Sequence, residues 1–404
     1  MDEEKVRHLL SAIPGAKRAA EGVIIPGEGG QLFHLRNIIT CKETEGLSRD
    51  EAFFIEFCSR NEILRLREIS GPHDYLLRLR ANAIVNNPRA VRVMASRKKD
   101  FEKGGRPWAL THFYHSKDFF HKKYIKNLSR SNAKIVKGTP SGLAFIPEAN
   151  ALCMRSLVGD VVVVSESLEQ FYYFMNIAFY GNQLGIEMID SVDALLIAVR
   201  IMNGVEALDF DIDPRASLPI ETERELNNLV SNQMQFTYGH EYAHLLCGHI
   251  SSPETAFDHD SSSSNYLGDL QTYNHSLEFQ ADLCALTNIY RSQEAFQNIA
   301  QGAFSVLLYL HFLEEANVSF GIKKFSVSET HPTSLDRVYN LHEGLGKKSP
   351  IDNVIIDEML KHSDQMISIL KHRIKCQRED ILSFYGSIYL PSYHSKPKRD
   401  RYDF

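Results

Sequence analysis

The run His240-Glu241-Tyr242-Ala243-His244 constrains this chain most, because it lies in a stretch whose apolar residues follow a helical pattern. Two histidines four residues apart lie on one face of a helix, one turn above the other. That spacing suits two ligands of one Zn²⁺ ion, and it puts Glu241 beside the remaining coordination positions. A glutamate there can accept a proton from a water molecule whose pKa the ion lowers to about 7. The alternative is an amphipathic helix whose histidines are surface or core groups, which so short a motif does not exclude.

A second acidic motif, Glu278-Phe279-Gln280-Ala281-Asp282, lies in another predicted helix at residues 270–290. Catalytic zinc sites usually take three protein ligands, and two histidines with one glutamate are a common set. Asp282 lies one turn beyond Glu278 on the same face, where it would accept the other ring N–H of a metal-bound histidine. We therefore predict a metal site in which Glu278 is the third ligand. The alternative is a solvated acidic pair at the helix surface.

A third motif is Thr330-His331-Pro332, which is followed by Arg337. Proline suits the first position of a helix, so His331 is expected at a helix start. A histidine and an arginine near the metal could stabilise the oxyanion of a tetrahedral intermediate. The alternative is a capped helix whose arginine forms a surface ion pair.

The three motifs, in this order and spacing, resemble those of gluzincin-type zinc metallopeptidases related to the membrane-associated Ste24 and HtpX group. They resemble most closely the soluble phage-exclusion peptidases of the Lit type. The resemblance covers about residues 160–345 and includes an aromatic helix that follows Ser167. It implies an intracellular zinc endopeptidase that cuts a host protein once phage infection is sensed. It also implies that His240, His244 and Glu278 bind zinc. By the same resemblance, Glu241 is the general base, and His331 and Arg337 hold the oxyanion.

The substrate and partners follow from the resemblance alone. We expect one specific protein substrate, with a host translation factor as the first candidate. Because an always-active protease would harm its own cell, we expect a latent state that a phage or host partner lifts. The alternative function is a sensor or nucleic-acid-binding regulator in which zinc only stabilises the fold. Glu241, His331 and Arg337 argue against that alternative, since a structural zinc site needs none of them.

The apolar patterns predict an α+β fold that is mostly helical, with a small sheet and, by the resemblance, a zincin-like metallopeptidase core. Glycine and proline at residues 138–142 indicate a domain boundary. We expect a basic, mostly helical regulatory or recognition domain at 1–140, the peptidase domain at 141–345, and a helix with a flexible basic tail at 346–404. Strands are expected at 143–146 and 160–165, and one of them should pair with an extended substrate. The longer predicted helices cover residues 48–69, 88–103, 167–182, 191–207, 220–250, 270–290, 293–316 and 353–376.

Charge is distributed unevenly along the chain. Residues 89–137 carry 14 lysines and arginines against three acidic residues, in a chain whose net charge is −6. Aromatic residues lie among these bases, which permits binding of single-stranded nucleic acid through phosphates and stacking. The favoured prediction is that the segment docks on an acidic protein or on the acidic remainder of this chain.

The six cysteines are scattered and form no Cys-x-x-Cys pair, which fits a reducing compartment and argues against a second zinc site. Cys247 shares the face of the two ligands, and it either packs beneath them or guards the metal as a redox group. His249 is expected on the opposite face of a continuous helix. No apolar run reaches the roughly 20 residues of a membrane span, and the acidic start lacks a secretion signal, so we expect a cytoplasmic protein.

Overall fold

The part of the chain that the structure describes folds mostly into helices, with two small three-stranded sheets, which confirms the predicted fold class at this level. The computed structural model describes residues 3–20, 22–35, 44–147, 149–250, 270–322, 332–375, 382 and 385–392. The zincin-like core, the separate N-terminal domain and the domain boundaries stay predictions. The basic tail beyond residue 392 lies outside the described residues.

The first half of the chain contains short helices and both sheets. Its helices are α1 (Glu3–Ala12), α2 (Arg49–Phe53), α3 (Arg60–Arg67), α4 (Pro72–Val85), α5 (Pro88–Lys103), α6 (Leu110–Lys117), α7 (Phe120–Asn127) and α8 (Arg130–Lys137). Its strands are β1 (Lys17–Arg18), β2 (Val23–Pro26), β3 (Leu32–Leu35), β4 (Ser141–Ala144), β5 (Ala151–Ser156) and β6 (Gly159–Ser165).

Longer helices form the second half. They are α9 (Glu166–Tyr180), α10 (Met188–Met202), α11 (Ile220–Leu246), α12 (Leu270–Thr287), α13 (Gln293–Phe320), α14 (Ser334–Leu345) and α15 (Asn353–Ile374). These bounds confirm the predicted helices at 88–103, 167–182, 191–207, 270–290, 293–316 and 353–376 to within a few residues.

The second sheet has the strand order β4–β6–β5. β4 runs parallel to β6, with Leu143 opposite Val164, and β5 runs antiparallel to β6, with Cys153 opposite Val162. β6 is therefore the central strand. Its valines form a continuous apolar run because both faces are buried. Val161 and Val163 pack with Leu76 of α4, whereas Val162 and Val164 belong to the main core.

Two helices begin or end at residues other than those predicted from the sequence. The segment predicted as one helix at 48–69 begins with the expected capping box at Ser48, but a second capping box at Ser59 starts a separate helix, α3. The aromatic helix α9 is capped by Ser165, whose side chain accepts from the backbone N–H of Leu168, so it begins before Ser167. A short Ser-x-x-Gln match at Ser167 misplaced that start.

The long helix α11 lies at the centre of the packing and contacts α7, α9, α12, α13 and β5. Gly302 on α13 allows a close approach to the backbone of α11. A Cβ atom there would lie 2.8 Å from the backbone carbonyl carbon of Asn232, a distance that real Cβ atoms do not reach. A single cluster of buried apolar side chains extends from Phe57 to Leu390, so residues 57–136 share their core with the rest of the fold.

Part of the basic segment 89–137 is built into this core. Trp108, Tyr114, Phe120 and Tyr124 are buried, so these rings cannot stack on nucleic acid bases. Arg97 forms ion pairs of 2.8 Å with Glu166 on α9 and 2.6 Å with Asp211 between α10 and α11. These contacts agree with the prediction that segment 89–137 docks on the acidic remainder of this chain. Within the described ranges, no helix combines the length and hydropathy that crossing a membrane requires.

Candidate metal centre

The two histidines of the first motif face one another on the last two turns of α11. His240 Nε2 and His244 Nε2 lie 3.1 Å apart, and their rings meet edge to face with centroids 4.8 Å apart. This follows from helical spacing, since residues four apart lie one above the other. His240 is 9 % exposed, so its ring is close to fully enclosed.

Glu278 on α12 completes a group of three converging side chains. Its Oε2 lies 3.3 Å from His240 Nε2 and its Oε1 lies 3.4 Å from His244 Nε2. A tetrahedral ion with bonds of about 2.0–2.1 Å has ligands about 3.3–3.4 Å apart. The two contacts of Glu278 involve different carboxylate oxygens, and one ligand atom from each of the three residues lies within 4.8 Å of the others, so all three side chains are within reach of one such ion. Among the described residues, no other set of histidine, cysteine and carboxylate side chains converges in this way.

Asp282 lies one turn beyond Glu278 and contacts the far side of the first histidine. Its Oδ1 is 2.8 Å from His240 Nδ1. Arg337 on α14 holds the same carboxylate with two hydrogen bonds, from Nε to Oδ2 at 2.8 Å and from Nη2 to Oδ1 at 2.7 Å. Its Nη1 lies 3.7 Å from Glu278 Oε2. Arg337 therefore faces the acidic side of the group, and its part in oxyanion binding stays a prediction.

The electrostatics of the group favour a bound cation. Burial acts to lower the pKa of His240, but the charge of Glu278 and the hydrogen bonds to Asp282 and Glu278 outweigh it and raise that pKa to about 10. Burial acts to raise the pKa of Asp282, and Arg337 together with His240 reverses the effect and lowers it. The carboxylates thus stabilise positive charge at His240, which a metal ion can supply in place of a proton.

Glu241 lies beside this group and is 7 % exposed. Burial raises the pKa of its carboxyl, and the neighbouring His240 and His244 oppose that rise. The carboxylate also faces the backbone N–H of Cys153 on β5, which acts to lower that pKa. The carboxylate of Glu241, whose pKa is raised, thus lies between α11 and the edge of β5.

The strand at Glu241 was not expected from the sequence. Of the two predicted strands, β6 cannot pair with a substrate because β4 and β5 occupy both its edges. The outer edge of β4 is also engaged, since Leu143 donates its N–H to Asp118 and accepts from Arg80. β5, the edge strand that reaches Glu241, was missed. Only residues 157–158 connect β5 to β6, with Ser156 opposite Gly159, and such a short connection is typical of a β-hairpin. This spacing could have predicted β5 from the sequence.

The prediction of a helix through residue 250 was wrong at its end. α11 stops at Leu246, and Gly248 adopts φ +73°, which reverses the chain. His249 consequently lies beside His244 instead of on the opposite face, with its Nδ1 3.0 Å from His244 Nδ1. Gly248 could have predicted the end of this helix from the sequence, because glycine often follows the last helical turn.

Cys247 lies at the end of α11, and its sulfur is 3.3 Å from the sulfur of Cys284 on α12. Burial and this contact raise the pKa of Cys247 to about 12. Neither thiol belongs to the converging group, so the contact fits a thiol that packs between the two helices. His331 lies outside the described residues.

Comparisons with known proteins found no family model, no curated protein and no solved structure that matches this chain. The resemblance to gluzincin peptidases therefore rests on the motifs alone. The structure adds that a buried group of His240, His244 and Glu278 could hold a metal ion.

Proposed function

We propose that this chain is a zinc-dependent hydrolase of peptide bonds. The observation that carries the proposal is the convergence of His240, His244 and Glu278 beside the buried carboxylate of Glu241. Two imidazoles and one carboxylate are a donor set typical of catalytic zinc. When bound, zinc would polarise the scissile carbonyl and lower the pKa of water to about 7.

Glu241 is the proposed general base and acid. Its raised pKa makes it a better proton acceptor than an exposed glutamate, and its position allows the proton to pass later to the leaving amine. A site that only stabilised the fold would have no need of a buried carboxylate next to its ligands. This argues against the alternative of a sensor with a structural metal.

β5 is the proposed strand for substrate binding. It pairs with β6 along one edge and reaches Glu241 through Cys153. An extended peptide added along its other edge, beside the N–H of Cys153 that faces Glu241, would be held by backbone hydrogen bonds close to the general base. That arrangement favours a peptide over a small-molecule substrate.

His331 and Arg337 are the proposed oxyanion groups, by the resemblance. Arg337 contributes a second role that its contacts support, because it holds Asp282 and through it the ring of His240. An arginine that already shares two hydrogen bonds is fixed in place, which favours a preorganised site.

The biological setting is proposed from the resemblance to Lit-type peptidases. Under it, the enzyme is intracellular, stays latent until phage infection, and then cuts one host protein. A host translation factor is the first candidate to examine.

The proposal is tested by mapping new protein termini after expression of the full chain in cells, with and without phage infection. Wild type is compared with Glu241→Gln, and Glu225→Gln, an exposed residue on the same helix, is the matched control. We expect one dominant new cleavage site in wild type and in the control after infection, and none in Glu241→Gln. Equal cleavage in Glu241→Gln would contradict this general base.

A further inference from the structure

The second histidine of the group has a partner that the sequence motif does not contain. The last turn of α11 ends in a Schellman motif, in which the N–H of His249 donates to the carbonyl of His244 at 2.9 Å and that of Gly248 donates to Leu245 at 3.3 Å. Side chains at these two motif positions commonly touch through an apolar contact. Here two imidazoles take that place, with His244 Nδ1 and His249 Nδ1 3.0 Å apart.

Gln280 on α12 determines which nitrogen of His249 carries the proton. Its Oε1 lies 2.9 Å from His249 Nε2, and an amide oxygen can only accept a hydrogen bond. With the Gln280 amide in this orientation, His249 Nε2 is the donor, and a neutral ring then has its lone pair on Nδ1. The contact of 3.0 Å with His244 is satisfied when His244 donates from its own Nδ1.

We propose that His249 is a positioning residue for the metal centre, which fixes His244 in the tautomer whose Nε2 lone pair faces the metal. Gln280 sets the direction of the hydrogen bonds, from His244 to His249 and from His249 to Gln280. This inference rests on the metal centre of the proposed function and adds a residue to it. A ligating histidine generally gives its other N–H to such an acceptor.

The two ligands are thus supported by two residues of α12, Gln280 and Asp282. Asp282 accepts directly from His240, whereas Gln280 acts on His244 through His249. The first support carries a negative charge and the second is neutral. His240 therefore gains an electrostatic contribution that His244 lacks, while both rings are fixed in orientation.

The test uses two replacements of similar branched shape in the full chain. In His249→Asn, the amide oxygen can occupy the place of Nδ1 and accept from His244, whereas His249→Leu offers no acceptor. We expect the dissociation constant for Zn²⁺, measured by competition with a chelating dye, to stay near wild type in the asparagine variant. In the leucine variant it should rise about 10–100-fold. An unchanged value in the leucine variant, or an equal loss in both, would overturn the proposal.

Nitrogen-15 NMR of the histidine side chains in metal-free protein gives a second readout that needs no catalysis. We expect the proton on Nδ1 of His244 and on Nε2 of His249, and a mixture of tautomers at His249 in Gln280→Leu. A proton on Nδ1 of His249 in wild type would overturn the relay even if the protein proved to be a hydrolase. The expected tautomers, together with no new cleavage site in wild type after infection, would refute the hydrolase and support the relay.

Discussion

Asp282 Oδ1 lies 2.8 Å from His240 Nδ1, and the same carboxylate accepts two hydrogen bonds from Arg337. One aspartate thus connects the metal group on α11 and α12 with helix α14. The pKa of this carboxyl is lowered because Arg337 and His240 outweigh its burial, so it carries its charge at neutral pH.

Asp282→Asn should weaken zinc binding about 10–100-fold, the usual effect of losing the acidic partner of a ligating histidine. The asparagine keeps the shape of the side chain but removes the charge that stabilises His240. Competition with a chelating dye measures the change. Asp364→Asn, at an exposed position of α15, is the control and should bind as wild type does. Unchanged affinity in Asp282→Asn would refute the role of this carboxylate.

Arg337→Ala should destabilise the fold by about 3–5 kcal/mol, because it leaves a buried carboxylate without its cation. The side chain of Arg337 is 14 % exposed and that of Asp282 is 2 % exposed, so water cannot replace the lost partner well. Urea unfolding of metal-free protein measures the change. Arg224→Ala, whose side chain is 68 % exposed, should cost under about 0.5 kcal/mol. A similar small loss in both variants would show that the pair does not stabilise the fold.

Glu169→Gln should stabilise the protein at alkaline pH. Burial raises the pKa of Glu169 to about 7, Lys117 partly offsets this, and the Oε2 atom is buried without a hydrogen-bond partner. Relative to the unfolded value of 4.5, the folded protein therefore loses stability as pH rises from about 4.5 through about 7. Glutamine does not titrate and escapes this loss.

The gain in unfolding free energy of Glu169→Gln over wild type should accordingly be up to about 3 kcal/mol larger at pH 8 than at pH 4.5. Unfolding by urea at the two pH values measures this difference in free energy. The contributions of other titrating groups cancel because the variant is compared with wild type. Glu225→Gln, exposed on α11, should show no such dependence. A difference that is constant with pH would contradict the raised pKa.

Much of the candidate site was accessible from the sequence because it depends on helical spacing. His240 with His244, and Glu278 with Asp282, are each four residues apart, so each pair must share a face of its helix. The long helices also repeat an apolar pattern over several turns, which makes them easy to predict. We expected α11 and α12 to converge because two histidines and one glutamate are a common set of zinc ligands. The observed contacts of Glu278 with His240 and His244 agree with that expectation.

The features that were missed depend on single residues and on tertiary contacts. His249 reaches His244 only because Gly248 permits a positive φ and ends the helix. β5 consists of half-buried residues without a long apolar run, so its pattern is weak, and its position beside Glu241 depends on packing against α11. The aromatic residues among the bases of 89–137 suggested stacking, but Trp108 and Tyr124 pack in the core.

The most direct test of the metal centre is X-ray absorption at the zinc edge on the purified full chain. We predict one zinc ion per chain, bound by two imidazole nitrogens and carboxylate oxygen at about 2.0–2.2 Å, and lost in His244→Ala. A chain that takes up no zinc when one equivalent is added would contradict the account. So would sulfur ligands at about 2.3 Å, which would move the ion to Cys247 and Cys284.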